Sequence, residues 1–158
     1  NEHYLDEIAF VDHLVRRLVD SLPADVTLLV TADHGLVEVG SSVIEIDQDI
    51  LRLCTSTSGE ARFTWLHARR QESKALLAES ARYKDNAWVV DVEEVLDEGW
   101  FGPKVTPEAR NRLGDVALVA REPVAYIDPS LPDGPEMLGR HGSLTAEEML
   151  VPIIEFNC

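Results

Sequence analysis

The sequence predicts an α/β fold, and three observations carry that prediction. An amphipathic segment over residues 4–22 leads into five consecutive apolar or β-branched residues at 26–30, too few for a helix and suited to a strand buried on both faces. Strand-like and helix-like segments then alternate through the middle of the chain. Two further apolar runs, at 115–120 and 151–156, complete the set. Alternation of this kind makes a sheet covered by helices. The expected organisation is a core segment at 1–39, a small α+β insert at 40–110 and a second core segment at 111–158.

The first element is the easiest to justify. Leu5, Ile8, Val11, Leu14, Val15, Leu18 and Leu22 recur at three- and four-residue steps, with Asp6, Glu7, Arg16 and Asp20 opposite. Pro23 stops the helix, because the residue before a proline is pushed out of helical geometry. Asp12 and His13 fall inside it and read as surface residues. Helix, short turn and buried strand then form half of a parallel βαβ arrangement. Residues 42–46 suit a strand, and 47–53 a short helix opened by Asp47 as N-cap. The run 55–59 is all Thr, Ser and Gly and reads as a polar loop.

Residues 61–67 alternate as a strand does, with Phe63 and Trp65 on one side and Arg62, Thr64 and Leu66 on the other. A helix over 71–83, a strand over 87–91 and a short helix over 92–97 stopped by Gly99 complete the insert. Trp100 and Phe101 either plug the insert onto the body or line a cleft, and packing is the favoured reading. Thr106-Pro107-Glu108 opens another short helix, with Thr as cap and Pro in the first turn. Residues 115–120 read as a buried strand and 125–127 as its edge partner. Prolines mark 128–137 as a loop. Thr145 and Glu148 have capping-box spacing, and a final strand spans 151–156.

Composition bounds the function. The 158 residues carry a formal charge of −15, with 45% hydrophobic and 27% charged residues, a globular composition. Such a surface repels nucleic-acid backbones and anionic membranes, so neither a nucleic acid polymer nor a membrane is an expected partner. Phosphate esters stay within reach if bound cations reverse the sign locally. Cys54 and Cys158 are too few for a disulfide framework and read as free thiols of a reducing, cytoplasmic compartment. The sequence starts at Asn1 without a methionine and reads as a fragment or processed product.

Two stretches carry chemistry. Asp33, His34 and Gly35 follow the strand at 26–30, where loops at strand ends hold ligands. Aspartate and histidine suit zinc or manganese, and glycine lets the backbone pass close to an ion. The plain alternative is a strand ending in a solvated turn. His141, in the run Gly139-Arg140-His141-Gly142-Ser143, sits in a glycine-rich loop just before a helix start. By itself it reads more readily as a solvated loop histidine. Arg62, His67, Arg69 and Arg70 could meet an anionic substrate, but an exposed strand-and-turn cluster is the simpler account.

Thr31-Ala32-Asp33-His34-Gly35 together with His141-Gly142-Ser143 resembles the alkaline phosphatase superfamily, in particular its type I phosphodiesterase/nucleotide pyrophosphatase branch, which includes phosphonoacetate hydrolase. Arg112-Leu113-Gly114-Asp115 and Glu147-Glu148-Met149-Leu150-Val151-Pro152 also look like family features. The resemblance implies an alkaline-phosphatase-like sheet sandwiched by helices, with the insert as a cap. It implies two divalent metal ions, zinc or manganese, with Asp33 and His34 on one and His141 on the other. The family's nucleophilic Thr or Ser, its neighbouring Asp and an Asp-x-x-x-His pair lie upstream of the matching region, and no residue here takes their place. The expectation is therefore the C-terminal part of a metal-dependent hydrolase of small phosphate or phosphonate esters, with no catalytic nucleophile and no activity by itself. An exposed sheet edge would let it self-associate. The alternatives are a non-catalytic binding or oligomerisation module that keeps the fold, or a phosphonate hydrolase, phosphoglycerate-mutase-like or sulfatase-like relative.

Overall fold

The computed structural model describes residues 2–132 and 137–157. Cys158, and the middle of the loop expected over 128–137, lie outside the described residues. In chain order the elements are α1 (Glu2–Ser21), β1 (Thr27–Thr31), β2 (Val37–Glu38), β3 (Val43–Glu45), α2 (Gln48–Leu51), β4 (Cys54–Glu60) and β5 (Phe63–Ala68). There follow α3 (Ser73–Ser80), β6 (Ala87–Asp91), α4 (Val92–Asp97), α5 (Pro107–Arg110), β7 (Val116–Ala120), β8 (Ala125–Ile127), β9 (Gly139–Arg140), α6 (Ala146–Met149) and β10 (Ile153–Asn157). The fold is α/β as the alternation predicts. Among the described residues no helix is long and apolar enough to cross a membrane.

The chain divides into two units. One comprises Asn1–Asp33 with Val151–Cys158, the other His34–Leu150. In the first, β1 pairs antiparallel with β10, Thr27 opposite Asn157 and Thr31 opposite Ile153. This corrects the parallel βαβ reading of β1. The expected burial on both faces also fails: one face of β1 is half-buried and the other exposed. A ribbon of two strands has no second layer over each face, so the apolar run alone could not bury it. The apolar stripe of α1 is likewise exposed at Leu5, Ile8, Val11, Leu14 and Leu18.

The second unit holds the core. Its four-stranded antiparallel sheet runs in the order β4-β5-β7-β6. Every residue of β7 is buried, so this is the strand covered on both faces. Val116, Leu118 and Ala120 join Ile46, Ile50, Leu66, Leu76 and Tyr126 under α2 and α3. Ala117 and Val119 face the other way onto Trp65, Val90, Val92 and Val95 of a second cluster. The alternation expected of β5 is present, with Leu66 in the first cluster and Trp65, backed by Phe63, in the second. Trp100 packs there too, edge-on to Phe63, so packing is its role, while Phe101 is half exposed.

Residues 55–59 are a correction: they belong to β4, paired antiparallel with β5. An edge strand needs no apolar face toward solvent, and pairing with β5 overrides the polar composition. Residues 125–127 do form an edge strand, but in parallel with β3. Asp47 precedes α2, yet its side chain makes no cap bond. Its carboxylate takes Arg82 at 3.0 Å instead. The Thr106 cap is present, its hydroxyl accepting from the Ala109 N–H.

Truncating Leu118, fully buried in β7, should cost about 2–5 kcal/mol as Leu118→Ala. Leu150→Ala, at a side chain 77% exposed, should stay within about 0.5 kcal/mol. Urea unfolding midpoints of the two variants check this contrast.

Candidate functional site

The site is built by a ladder too short to read in sequence. β2 pairs antiparallel with β9, Val37 opposite Arg140 and Glu38 opposite Gly139. The strand β2 begins three residues after His34, and β9 ends immediately before His141. Zipping the two therefore draws both histidines together. Their rings stack with centroids 3.8 Å apart and planes 13° from parallel. The sequence interval between them is bridged by the fold alone.

His34 is oriented further by its own loop. Its Nδ1 lies 2.8 Å from the Gly35 carbonyl oxygen, so Nδ1–H donates. A hydrogen bond of this kind is one way in which a metal-binding imidazole is oriented. Asp33, its neighbour in the chain, is the last residue of the first unit, and His34 opens the second. What the second unit brings together is the imidazole pair. Among the described residues no group of three or more His, Cys, Asp or Glu side chains is arranged to hold a metal ion.

Gly35 has a different job from the one its motif suggests. Its N–H donates to the Glu148 carbonyl at 2.8 Å, and a Cβ there would lie 1.8 Å from the Glu147 carbonyl oxygen. Glycine is required because this backbone runs against the α6 turn. Gly142 has φ +116°, and a Cβ on it would come within 2.7 Å of the Glu60 Cβ. Both loops are thus packed against protein on the side away from solvent.

The group that holds them is one carboxylate. Glu148 is 2% exposed and Arg62 is fully buried. Arg62 Nε donates to Glu148 Oε1 at 2.9 Å and Nη2 to Oε2 at 2.8 Å. Arg62 Nη1 donates to the carbonyls of Glu122 at 2.9 Å and Val124 at 2.8 Å. Oε1 of Glu148 also accepts the Ser143 N–H at 2.9 Å, and Oε2 the Thr145 hydroxyl at 2.7 Å. Ser143 donates its own hydroxyl to the Ala120 carbonyl. Burial alone would lift the Glu148 carboxyl, but donors from Arg62, Thr145 and Ser143 outweigh it and hold it below the ordinary glutamate value.

Two expectations are corrected here. Thr145 and Glu148 do not form a capping box, since Thr145 donates to the carboxylate and makes no side-chain cap bond. Arg62 is no surface cation for a substrate, because its whole fork is spent internally. Of its companions, His67 Nε2 meets the Ser58 hydroxyl at 2.7 Å and Arg69 Nε donates to the Arg52 carbonyl at 2.8 Å. Sequence reasoning passed over Arg140. It lines a cavity of about 380 Å³ with Thr57, Tyr126, Asp128 and Met137, and its buried Nε has no hydrogen-bond partner. Its place beside His141 was the available signal. Cys54 is buried, and burial, then the Asp128 charge, push its thiol up to about 11. A thiol so held is protonated at neutral pH and is no nucleophile.

A family model described as type I phosphodiesterase/nucleotide pyrophosphatase matches residues 1–144. No curated protein sequence matches the chain. Among solved structures, murine ectonucleotide pyrophosphatase/phosphodiesterase 5 superposes with a TM-score of 0.71 at 21% identity, over 94% of this chain and 39% of that one. Phosphonoacetate hydrolase from Sinorhizobium meliloti 1021, in complex with phosphonoformate, gives 0.61 at 20% identity over 82% and 35%. The human counterpart of the murine protein gives 0.57 at 18% identity over 82% and 33%. The likeness is one of fold, and the chain spans about two-fifths or less of each structure.

The clamp makes acid sensitivity predictable. A carboxyl whose folded pKa is depressed stabilises above its unfolded value near about 4.3 and loses that contribution as pH falls through the folded value. Glu148→Gln should flatten the acid limb of stability between about pH 5 and 3, read as urea midpoints against pH. Arg62→Met, leaving a buried carboxylate unpaired, should cost about 3–5 kcal/mol at pH 7. Gly35→Ala should cost about 1–3 kcal/mol through the clash with the Glu147 carbonyl.

Proposed function

Because the chain belongs to the type I phosphodiesterase/nucleotide pyrophosphatase family, we propose that it forms part of a metal-dependent phosphoric ester hydrolase and carries a portion of its metal centre. The observation that supports this most is the imidazole pair: the two histidines that the resemblance assigns to the metals stack at 3.8 Å. The donor chemistry fits. The His34 ring is oriented by the contact of its Nδ1 with the Gly35 carbonyl, the kind of second hydrogen bond that orients a metal-binding imidazole. His34 with Asp33 would hold one divalent ion and His141 the other, zinc or manganese. When bound, such ions supply charge neutralisation at the phosphoryl oxygens and a lowered pKa for the attacking group.

This chain's residues would do the positioning. Phosphoryl transfer asks mostly for that and for charge compensation. The packed loops at Gly35 and Gly142 hold the imidazoles, and Arg140 adds a cation next to His141. Small phosphate or phosphonate esters are the proposed substrates. No residue among the 158 matches the family's nucleophile, so turnover needs groups from outside them.

A second reading has its own support. Leu5, Ile8 and Leu14 of α1, Leu29 of β1, and Ile153 and Ile154 of β10 are exposed apolar side chains. Surface of that kind favours association, with a second copy or with further chain of the same protein. On this reading the 158 residues by themselves are a non-catalytic, self-associating module.

Calorimetric titration with Zn²⁺ or Mn²⁺ separates the readings. The hydrolase reading expects weak binding by the chain, removed in His34→Ala and in His141→Ala. In the complete protein, each variant should lose most of the hydrolysis of an aryl phosphodiester. Unchanged turnover in both would sink the reading, and a dimer with no metal affinity would favour the module.

A further inference from the structure

Three contacts converge on Glu148, and each reaches a different part of the candidate site. Its carboxylate accepts the N–H of Ser143, two residues past His141. Its backbone carbonyl accepts the N–H of Gly35, the residue after His34. Its two carboxylate oxygens take the two prongs of Arg62. Arg62 is in turn fixed to the sheet through the carbonyls of Glu122 and Val124. A single residue of the segment expected to be a cap is thus wired to both histidine loops.

We propose that Arg62 is a positioning residue for the His34–His141 pair, its fork on Glu148 setting the two loops relative to each other. The geometry stands by itself, and the purpose rests on the metal-centre reading above. Neutralising Glu148 is a different task from orienting it. A lysine ammonium neutralises a carboxylate, but it is a point donor on a flexible stem and does not reproduce a planar fork. Arg62 uses that fork fully, with Nε and Nη2 on the carboxylate and Nη1 on two carbonyls. Replacing the fork while keeping the charge should therefore release the rings without unfolding the sheet.

The decisive variant is Arg62→Lys in the 158-residue chain with isotope-labelled histidine. The nuclear Overhauser contact between the two imidazole rings reports their stacking, and the amide signals of β7 report the fold. The expected result is unchanged β7 amides, loss of the inter-ring contact, and Zn²⁺ affinity weakened about ten- to a hundredfold. Should Arg62→Lys not fold, the double variant Arg62→Met, Glu148→Met leaves no buried charge there and should show the same loss. A wild-type inter-ring contact in the folded variant overturns the proposal. Failure of both variants to fold overturns it too, since Arg62 would then be needed for folding as a whole. If the unmodified chain binds no Zn²⁺, the metal-centre reading fails, while the ring contact still decides the role of Arg62.

Discussion

The candidate site depends on burying one glutamate. Glu148 can be 2% exposed and still ionised because Arg62, Ser143 and Thr145 supply four hydrogen bonds to its two oxygens. A buried ion pair is poor evidence of stability by itself, since desolvation offsets the attraction. Its value is directional. Each bond is short and aimed, and together with the Gly35 N–H on the Glu148 carbonyl they tie the loop after β9 and the loop before β2 to one residue. The motif glycines serve the same arrangement. They let two backbones approach within van der Waals distance of α6 and of Glu60, where any side chain would intrude.

Charge explains why that precision matters. With a net −15, the surface opposes the approach of anions, and burying Arg62 takes one of the scarce cations out of play. On the proposed function, positive charge there would come from Arg140 and from the ions the imidazoles would hold. The two imidazoles lie stacked there, with His34 Nδ1 turned to the Gly35 carbonyl.

Much of the fold was legible. The breaks at Pro23 and Gly99 and the alternation of β5 follow from local rules, as does the uninterrupted apolar run of β7. What escaped is set by partners far away in the chain. Residues 55–59 look like a loop until β5 lies beside them. The two-residue strands β2 and β9 have no periodicity to detect, yet they bring His34 to His141. Arg62 and Glu148 are 86 positions apart, and nothing local marks an arginine on a strand as a core residue. The burial expected of β1 failed for a related reason, because an apolar strand is buried only when layers exist to cover it.

The boundaries of the second unit carry a consequence of their own. It is one continuous stretch, His34–Leu150, and its ends are tied by the 2.8 Å bond from Gly35 to Glu148. A segment whose entry and exit are stitched side by side behaves as a cassette: evolution can lengthen, recombine or swap it as a block with little disturbance to its host. The two histidines ride at opposite ends of that cassette, so an exchange would carry both together.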